Sequence, residues 1–314
     1  PTPHPRTLQG IPLQHMQFMT KIGRFIERAG TAVLVDRWNA RDALATIERE
    51  RVTAFGGVPT QLALMLRDPT FGDYDLSSLQ SVTLGGALAT PELIREIRER
   101  FGAPVFVRFS TTELALCCGT RAGDPDDVVA RTVGRPLPEV DVKIDRAGPD
   151  GVGEVCARSP AMMAGYWHRD DSGLDEHGYF HTGDLGYLRP DGNLVLVGRS
   201  KDMYIRGGYN VYPNEVENAL KDHPLVANAA VVGYPDDVLG ERGAAFIVSA
   251  DPATSPSREQ LLEHLASRLA DYKLPDLIEI RPELPLNQMF KVDKRALISE
   301  LAARGASTRQ ERPR

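Results

Sequence analysis

The amino-acid sequence predicts an α/β protein in which a large domain, made of a mostly parallel sheet and a β-rich subdomain, precedes a small α+β domain. Three observations lead to this prediction. The 314 residues are enough for two domains. Up to about residue 133, short β-branched runs alternate with amphipathic helical patterns, which is typical of a parallel sheet covered by helices. From about residue 134, Gly, Pro and Asp recur between short strands and indicate hairpins.

The first strand–helix–strand pattern covers residues 31–55. Residues 31–35 read as a strand, and residues 52–55 read as the next one. Between them, Asn39 can cap a helix, since its side chain can accept a hydrogen bond from the first turn. The apolar positions of that helix share one face: Ala40, Ala43, Leu44 and Ile47. We therefore expect a parallel pair of strands joined by a right-handed crossover.

The pattern repeats between residues 81 and 109. Residues 81–84 and 105–109 read as strands. The helix between them has Thr90 as its cap, Pro91 at its first position and Gly102 at its end, which are strong local signals for both ends of a helix.

The rest of the chain divides at about residue 200. Gly148-Pro149-Asp150-Gly151 and Arg189-Pro190-Asp191-Gly192 predict two hairpin turns in a β-rich part that spans residues 134–200. Residues 201–302 predict a small, mobile domain that contains a helix near 213–220, strands at 226–232 and 244–249, and a helix opened by the capping box of Ser257 and Gln260. Residues 303–314 are polar and basic, and we expect a disordered tail.

Composition restricts the class of protein. A hydrophobic content of 42% and a charged content of 25% are those of a globular protein, and no run of 18 apolar residues predicts a transmembrane helix. The net charge of −6 argues against a nucleic-acid partner. Three cysteines form neither a disulfide framework nor a metal-binding spacing, so we expect buried thiols in a cytoplasmic protein.

Polar segments near the predicted sheet are candidates for binding a nucleotide. Ser110-Thr111-Thr112-Glu113 follows the strand that ends at Phe109, where hydroxyls can bind phosphate and a carboxylate can bind Mg²⁺. Gly85-Gly86-Ala87 allows a flat base to approach the main chain, and Asp184 of Thr182-Gly183-Asp184 can accept from both ribose hydroxyls. For each segment, the alternative is an ordinary turn whose polar groups bond their own backbone.

Two further segments belong to the second domain and its connection. Gly198-Arg199-Ser200-Lys201-Asp202, followed by Arg206-Gly207-Gly208, has the charged and glycine-containing composition of a hinge. Lys291 lies in a loop with two prolines and precedes the last helix, which Asp293 can cap. The alternatives are a charged linker and a solvated surface lysine.

In order and spacing, these segments resemble those of the adenylate-forming superfamily, in its acyl-CoA synthetase branch. The resemblance runs from about Gly30 to Ala302. Its further motifs are Val52-Thr53, Gly56-Gly57-Val58-Pro59-Thr60, Gly153-Glu154-Val155, Gly165-Tyr166-Trp167 and Asp271-Tyr272-Lys273-Leu274-Pro275. The resemblance implies the C-terminal part of the large AMP-binding domain followed by the mobile C-terminal domain. It also implies ATP, Mg²⁺ and coenzyme A as cofactors, and a small carboxylic acid as substrate.

The resemblance also implies a role for each candidate residue. Members of the superfamily form an acyl-adenylate from ATP and then transfer the acyl group to coenzyme A. Lys291, Thr112 and Glu113 would be catalytic: Thr112 would contact the α-phosphate, Glu113 the Mg²⁺, and Lys291 the charge that develops between the acid and the phosphate. The other roles concern ligands and the hinge: adenine at Gly85, Gly86, Ala87, Phe109 and Ser110, ribose at Asp184 and Arg199, the hinge at Lys201, and pantetheine at Gly207 and Gly208.

The sequence departs from the family pattern at three places. Phe109-Ser110 stands where the family often has Tyr-Gly, and Phe290 stands where glycine usually precedes the catalytic lysine. The Ser/Thr-Gly-rich loop that holds the β- and γ-phosphates is not found, and its place falls before residue 1, which is proline rather than methionine. We therefore expect an N-terminally truncated chain that binds adenylate weakly and turns over little ATP.

Three functions remain open. The first is a ligase of coenzyme A with a fatty or other apolar acid, which would place it in fatty acid metabolism; residues 203–213 resemble the CoA-ligase version of the motif. The second is an adenylation domain that loads a carrier protein, and the third is a catalytically silent nucleotide-binding protein. The acid pocket is expected near residues 57–62, 84–88 and 114–118. The sequence does not identify the acid or the oligomeric state.

Overall fold

The computed structural model describes residues 4–11, 13, 15–87, 89–168, 173–251 and 253–310, with side chains up to residue 304. It consists of two compact units, Pro1–Leu196 and Val197–Arg314. The two units are described below as unit 1 and unit 2. Among the described residues, none of the helices has the length and apolar character needed to cross a lipid bilayer.

A seven-stranded sheet forms the first half of unit 1. Its strands are β1 (Arg6–Gln9), β2 (Thr31–Leu34), β3 (Ala54–Gly57), β4 (Ser81–Gly85), β5 (Val105–Thr111), β6 (Ala115–Gly119) and β7 (Arg135–Pro136), and their order is β2-β1-β3-β4-β5-β6-β7. Strands β1 to β5 are parallel, as the sequence predicts, whereas β6 and β7 are antiparallel.

The position of β1 corrects one expectation. The sequence predicts that residues 31–35 and 52–55 are neighbouring strands, but β1 lies between them, with Leu8 opposite both Val33 and Phe55. The four residues of β1 are too few to show a period, and they follow a proline-containing segment without a strand pattern. Only the pairing with distant strands makes this segment extended.

Among the residues that the structure describes, the α-helices that accompany the sheet are α1 (Met16–Met19), α2 (Ile22–Glu27), α3 (Ala40–Arg49), α4 (Pro59–Leu66), α5 (Pro91–Phe101) and α6 (Asp126–Arg131). The predicted caps are confirmed. The side chain of Asn39 accepts from the Asp42 N–H at 2.8 Å, and that of Thr90 accepts from the Leu93 N–H at 3.2 Å. Gly102 ends α5 in the left-handed conformation, with φ of +64°.

The second half of unit 1 contains a four-stranded sheet, whose last strand in sequence continues past the unit boundary at Leu196. Its strands are β8 (Asp141–Asp145), β9 (Gly153–Arg158), β10 (Phe180–Leu188) and β11 (Leu194–Arg199), in the order β11-β10-β9-β8. The two predicted hairpin turns are present, with N–H groups of Gly151 and Gly192 donating to the carbonyls of Gly148 and Arg189. One apolar core continues from the first sheet into the second, because Phe109 and Leu114 share it with Val155 and Phe180.

Unit 2 has its own sheet and two apolar clusters. Its elements are β12 (Tyr204–Arg206), β13 (Tyr209–Val211), α7 (Pro213–Lys221), β14 (Val226–Asp236), β15 (Gly240–Ser249), α8 (Arg258–Ala266), β16 (Leu277–Arg281) and α9 (Lys294–Gln310). The strand order is β13-β12-β15-β14, with β16 parallel to β15. The predicted capping box of Ser257 and Gln260 is confirmed. Helix α9 continues past residue 303, where the sequence predicts a tail, and residues 311–314 lie outside the described part of the chain.

Gly134 joins the two sheets of unit 1. The N–H of Val133 donates to the carbonyl of Leu194, and the N–H of Leu194 donates to the carbonyl of Gly134, each at 2.9 Å. Gly134 has φ of +78°, and a Cβ there would lie 2.0 Å from the carbonyl carbon of Gly119. Both the backbone conformation and the close approach therefore require glycine.

We expect Gly134→Ala to lower the free energy of unfolding of unit 1 by about 2 kcal/mol or more, because strain in φ is added to overpacking. Gly123→Ala is the matched control, since Gly123 has φ of +87° but no heavy atom within 4 Å of its added Cβ. Both tryptophans, Trp38 and Trp167, are in unit 1, so their fluorescence during urea unfolding follows this unit. Equal losses in the two variants would show that the contact with Gly119 contributes nothing.

Candidate functional site

The carboxyl ends of β4 and β5 bring the first two candidate segments together. The strands pair in parallel with Gly85 opposite Arg108, so Gly85 lies beside the chain that continues into Phe109 and Ser110. Gly86 leaves β4 with φ of +78°, and a Cβ on Gly85 would lie 3.2 Å from the Arg108 carbonyl oxygen. The Phe109 ring is buried in the apolar core, whereas Ser110 is half-buried. Leu88, part of the expected acid pocket, lies outside the described residues.

The hairpin between β5 and β6 presents Thr112 and Glu113. Strand β5 continues to Thr111, two residues beyond the predicted end at Phe109. The Thr111 hydroxyl accepts from the Leu114 N–H at 3.0 Å, which is the local role that the alternative interpretation assigned to threonine in this segment. Thr112 is exposed at the tip of the hairpin, and Ala115 starts β6 with φ of +59°. The turn therefore leaves Thr112 accessible to a ligand.

A loop after β9 holds Glu113 in place. The Tyr166 hydroxyl donates to Oε1 of Glu113 at 3.0 Å, and the Met163 N–H donates to the Glu113 carbonyl at 2.7 Å. These contacts explain why the Gly165-Tyr166-Trp167 motif accompanies the Thr-Glu pair, although the two lie far apart in the sequence. In the sequence, Tyr166 is visible only as part of a family motif, without a role of its own.

A bulge in β10 positions Asp184. Gly183 has φ of +71°, and its N–H donates to Oε1 of Glu154 at 2.9 Å. The Thr182 hydroxyl donates to the Val155 carbonyl at 2.8 Å and accepts from the Asp184 N–H at 3.0 Å. Asp184 itself is only 9% exposed. The Gly153-Glu154-Val155 and Thr182-Gly183-Asp184 motifs are therefore one structural unit, in which β9 fixes the backbone around a buried carboxylate.

In unit 2, both candidate hinge segments are tight turns. The N–H groups of Asp202 and Met203 donate to the Arg199 carbonyl at 3.1 Å, and Lys201 is exposed within this turn. Gly207 and Gly208, with φ of +57° and +87°, form a two-residue hairpin between β12 and β13. A hairpin of this kind needs two residues with positive φ, so its geometry alone accounts for both glycines.

The loop that contains Lys291 is organised by Asn287. Its side-chain oxygen accepts from the N–H groups of Met289 and Lys291 at 2.8 and 3.1 Å, and its own N–H donates to the Lys291 carbonyl at 2.8 Å. Phe290 has φ of +58°. The position at which the family usually has glycine therefore keeps the left-handed conformation that glycine favours, although a phenylalanine occupies it. The predicted cap of α9 is also confirmed, because Asp293 accepts from the Ala296 N–H.

A cluster of hydrogen-bond donors on the first sheet was missed by sequence analysis. Gln9 lies opposite Gly56 in the sheet, and its buried Nε2 has no hydrogen-bond partner in the described part of the chain. A Cβ on Gly56 would lie 2.6 Å from Nε2 of Gln17 and 3.7 Å from Nζ of Lys21. We call Gln9, Gln17 and Lys21 the donor cluster. No local motif marks these residues, because only the pairing of β1 with β3 brings them together.

The donor cluster lies in a positive environment. Burial, followed by the charges of Arg24 and Arg108, lowers the pKa of Lys21 to about 8. No carboxylate of the described residues pairs with Lys21. A negatively charged ligand group would compensate this charge.

The lowered pKa gives a pH-dependent prediction. The folded state binds the Lys21 proton less tightly than the unfolded state, so the charged lysine opposes folding below pH 8, and this cost disappears as the pH rises from 8 to 10.5. We expect Lys21→Met to raise the stability of unit 1 at pH 7 by roughly 2 to 4 kcal/mol, and by much less at pH 10.5. Urea unfolding at both pH values, followed by tryptophan fluorescence, measures the difference.

Arg37→Met is the control for this measurement, because it removes an exposed cation of the same unit. Its effect should be the same at pH 7 and at pH 10.5. A stabilisation by Lys21→Met that does not change with pH would contradict the lowered pKa of Lys21. The stabilisation would then come only from the added apolar surface of methionine.

Comparisons with known proteins cover nearly the whole chain. Residues 1–167 match the family model of AMP-binding enzymes, and residues 215–291 match that of the C-terminal domain of AMP-binding enzymes. Among curated proteins, 2-succinylbenzoate–CoA ligase of Staphylococcus aureus is 32% identical over 293 residues. That match includes 92% of this chain and 58% of the relative, so the chain spans a little more than half the length of the curated relative.

Several solved structures are similar. An amide bond synthetase from Marinactinospora thermotolerans has 34% identity and a TM-score of 0.83, over 96% of this chain and 62% of the other. The anthranilate CoA ligase AuaEII with anthranoyl-AMP has 30% identity and a TM-score of 0.84, over 96% and 61%. The o-succinylbenzoate CoA synthetase of Bacillus subtilis with its acyl-adenylate has 32% identity and a TM-score of 0.78, over 96% and 61%.

Proposed function

Because the chain belongs to the family of AMP-binding enzymes, as its sequence resemblance predicted, we propose that it activates a carboxylic acid with ATP as an acyl-adenylate and then forms a thioester with coenzyme A. The observation that carries this proposal is that unit 1 holds two carboxylates, each fixed by its own neighbours. Glu113 is held by Tyr166 at the end of β5, and Asp184 is buried in the bulge that Glu154 fixes. The relatives named 2-succinylbenzoate–CoA ligase and anthranilate CoA ligase are acid–thiol ligases.

We propose that Glu113 binds Mg²⁺ and that Thr112 binds the α-phosphate. Mg²⁺ prefers oxygen ligands and keeps several of its waters. One protein carboxylate together with the phosphate oxygens of ATP is therefore a suitable donor set. A related synthetase of Bacillus subtilis has been solved with ATP and a magnesium ion. When bound, the ion would offset phosphate charge. The part of this chain is to hold the Glu113 carboxylate in one orientation, through the Tyr166 hydroxyl.

We propose that Asp184 and Arg199 bind the ribose and that Gly85, Gly86, Ala87, Phe109 and Ser110 border the adenine. A buried carboxylate with a fixed backbone can accept from two neighbouring hydroxyls without first being ordered, which lowers the entropic cost of binding. Gly85 and Gly86 carry no side chain that would keep a flat base away from the main chain. Three roles remain predictions for unit 2. They are the hinge at Lys201, the pantetheine passage at Gly207 and Gly208, and the rotation of the unit between half-reactions.

The thiol acceptor is supported by the names of the relatives, and two alternatives remain. A similar structure is an amide bond synthetase, so an amine is a second possible acceptor, and a carrier protein is a third. A catalytically silent nucleotide-binding protein would use none of these three acceptors. We also propose a cytoplasmic location, supported by the three free and buried cysteines.

The second half-reaction tests the proposal directly, because it does not involve the β- and γ-phosphates. We expect the 314-residue chain, given a preformed acyl-adenylate and coenzyme A, to release acyl-CoA and AMP in equal amounts, measured by mass spectrometry. Parallel reactions with an amine and with a phosphopantetheinylated carrier protein distinguish the acceptors. Failure to react with all three would favour the silent protein.

Lys291→Ala should separate the two half-reactions. Loss of one preorganised cation should slow adenylate formation by a factor of about 10² or more, and it should affect thioester formation much less. Adenylate formation is measured as pyrophosphate exchange in a chimera that adds the N-terminal part of the Staphylococcus aureus relative. Arg295→Ala is the control, since it removes a nearby exposed cation. Equal losses in both half-reactions would make Lys291 a structural residue.

The acid is a separate question. The sequence favours a fatty or other apolar acid, but the relatives are named for 2-succinylbenzoate and anthranilate, so fatty acid metabolism finds no support in them. We propose instead that the acid has a second anionic group, which the donor cluster binds. Lys21, Gln9 and Gln17 offer an ammonium group and two amide N–H₂ groups on one face of the sheet, near the carboxyl ends of its strands, where ligands bind in this type of fold.

A pair of acyl-adenylates made from a monoacid and a diacid of equal chain length tests this acid class. We expect the diacid derivative to give thioester faster, and Lys21→Met to reduce this preference by roughly tenfold or more, as loss of one charged hydrogen-bonding partner does. Lys21→Arg keeps the charge and should keep the preference. Equal rates for both acids would refute the acid class alone, whereas no thioester from either would refute the ligase function.

A further inference from the structure

We propose that the second sheet of unit 1 has a binding site for a divalent transition metal ion such as Zn²⁺, with Cys156, His181 and Asp145 as ligands. This site is separate in its chemistry from the proposed nucleotide site. Nothing in the proposed ligase reaction uses the Cys156 thiol or the His181 imidazole. We call these three residues the metal cluster.

Strand register brings the metal cluster together. Cys156 on β9 lies directly opposite Lys143 on β8 and His181 on β10, so the three side chains form one row across the sheet. Asp145 lies on β8, two residues after Lys143, and therefore points to the same face. The other face of these strands belongs to the apolar core. The cluster is a product of three strands, which explains why the spacing of the cysteines in the sequence gave no sign of it.

The distances suit a small metal ion. The Sγ of Cys156 is 3.4 Å from Nδ1 of His181, and one donor atom from each of the three residues lies within 4.8 Å of the others. In a tetrahedral zinc site, the usual bond lengths to sulfur and nitrogen place these two donors about 3.5 Å apart. Oε2 of Glu154 lies 3.0 Å from the same Nδ1 and is a candidate for the fourth position. Cys156 and His181 therefore already have the spacing that a bound ion requires.

Asp175 supports His181 from the other side. Its Oδ2 is 3.6 Å from Nε2 of His181, so a negative charge faces the nitrogen that would carry the proton when Nδ1 binds the metal. Asp175 is itself fixed by Lys143 Nζ at 2.9 Å and by the N–H groups of His177 and Tyr179. A carboxylate behind a ligating histidine is a usual feature of metal sites, because it sets the tautomer and the direction of the ring.

The charges near Cys156 also favour a cation. The three carboxylates of Asp145, Glu154 and Asp175 outnumber the two cations beside them. Lys143 is paired with Asp175 and lies over the Tyr179 ring at 4.1 Å, and exposed Arg146 is 3.5 Å from Asp145. On binding, the S–H bond would be replaced by a sulfur–metal bond and the proton released to solvent, while the ion offsets the carboxylates.

Titration with Co²⁺ tests the proposal, because a cobalt–thiolate bond gives a charge-transfer absorption band that carboxylate sites do not give. We expect the 314-residue chain to develop this band at one equivalent and to lose it when Zn²⁺ is added. Cys156→Ser should abolish the band, and His181→Ala should weaken Co²⁺ binding at least tenfold, by analogy with losses around other metal sites. Cys117→Ser and Cys118→Ser remove buried thiols elsewhere and should leave the band unchanged.

The outcomes separate the proposal from its competitors. A band that survives Cys156→Ser but disappears in Cys117→Ser or Cys118→Ser would assign the metal to the adjacent cysteines and overturn the proposal. The absence of any band would also overturn it. Asp145→Asn is a second test that does not alter the core: it should weaken binding while the circular dichroism of the protein stays the same. If Cys156→Ser fails to fold, this variant together with His181→Ala decides the question.

Discussion

The hydrogen bond from the Gly183 N–H to the Glu154 carboxylate supports both proposed sites on the second sheet of unit 1. It stabilises a bulge in β10 whose backbone conformation at Gly183 is open to few residues. On one side of the bulge, Asp184 is buried with its backbone fixed by Thr182. On the other side, His181 is placed beside the second carboxylate oxygen of Glu154. One acidic side chain thus serves both the proposed nucleotide site and the proposed metal site.

The candidate residues lie mostly in turns that the surrounding strands determine. Thr112 and Glu113 occupy the β5–β6 hairpin, and Gly207 and Gly208 occupy the β12–β13 hairpin. Lys291 follows a residue with positive φ in a loop that Asn287 closes. Rigid strands with short turns place side chains accurately without burying them, which is what a site for a large, polar ligand requires. Phe290 keeps the required conformation at a cost that glycine would not have.

Local signals in the sequence were sufficient for features that depend on neighbouring residues. Asn39, Thr90, Ser257 and Asp293 cap their helices as predicted, because a cap is formed within one turn. Features that depend on distant strands could not be read in this way. The strand β1 and the donor cluster exist only through pairing across the sheet.

The candidate site shows the same division. The order of the motifs was enough to identify Thr112, Glu113 and Asp184 as candidate site residues. The hydrogen bonds by which Tyr166 and Glu154 support them became visible only in the fold. The metal cluster is the extreme case. Its three ligands come from three strands, and no two of them are close enough in the sequence to form a recognisable motif.

The central position of β1 has a consequence for the order in which the chain can fold. Arg6 lies opposite Thr31 and Leu8 lies opposite Phe55, so β1 gains its second partner only after the whole of α3 has been added. Parallel pairing across such separations is slow, because the entropy of loop closure is lost before any stabilising hydrogen bonds form. In a chain that emerges from the ribosome, β1 therefore cannot pair with β3 until β3 has left the exit tunnel.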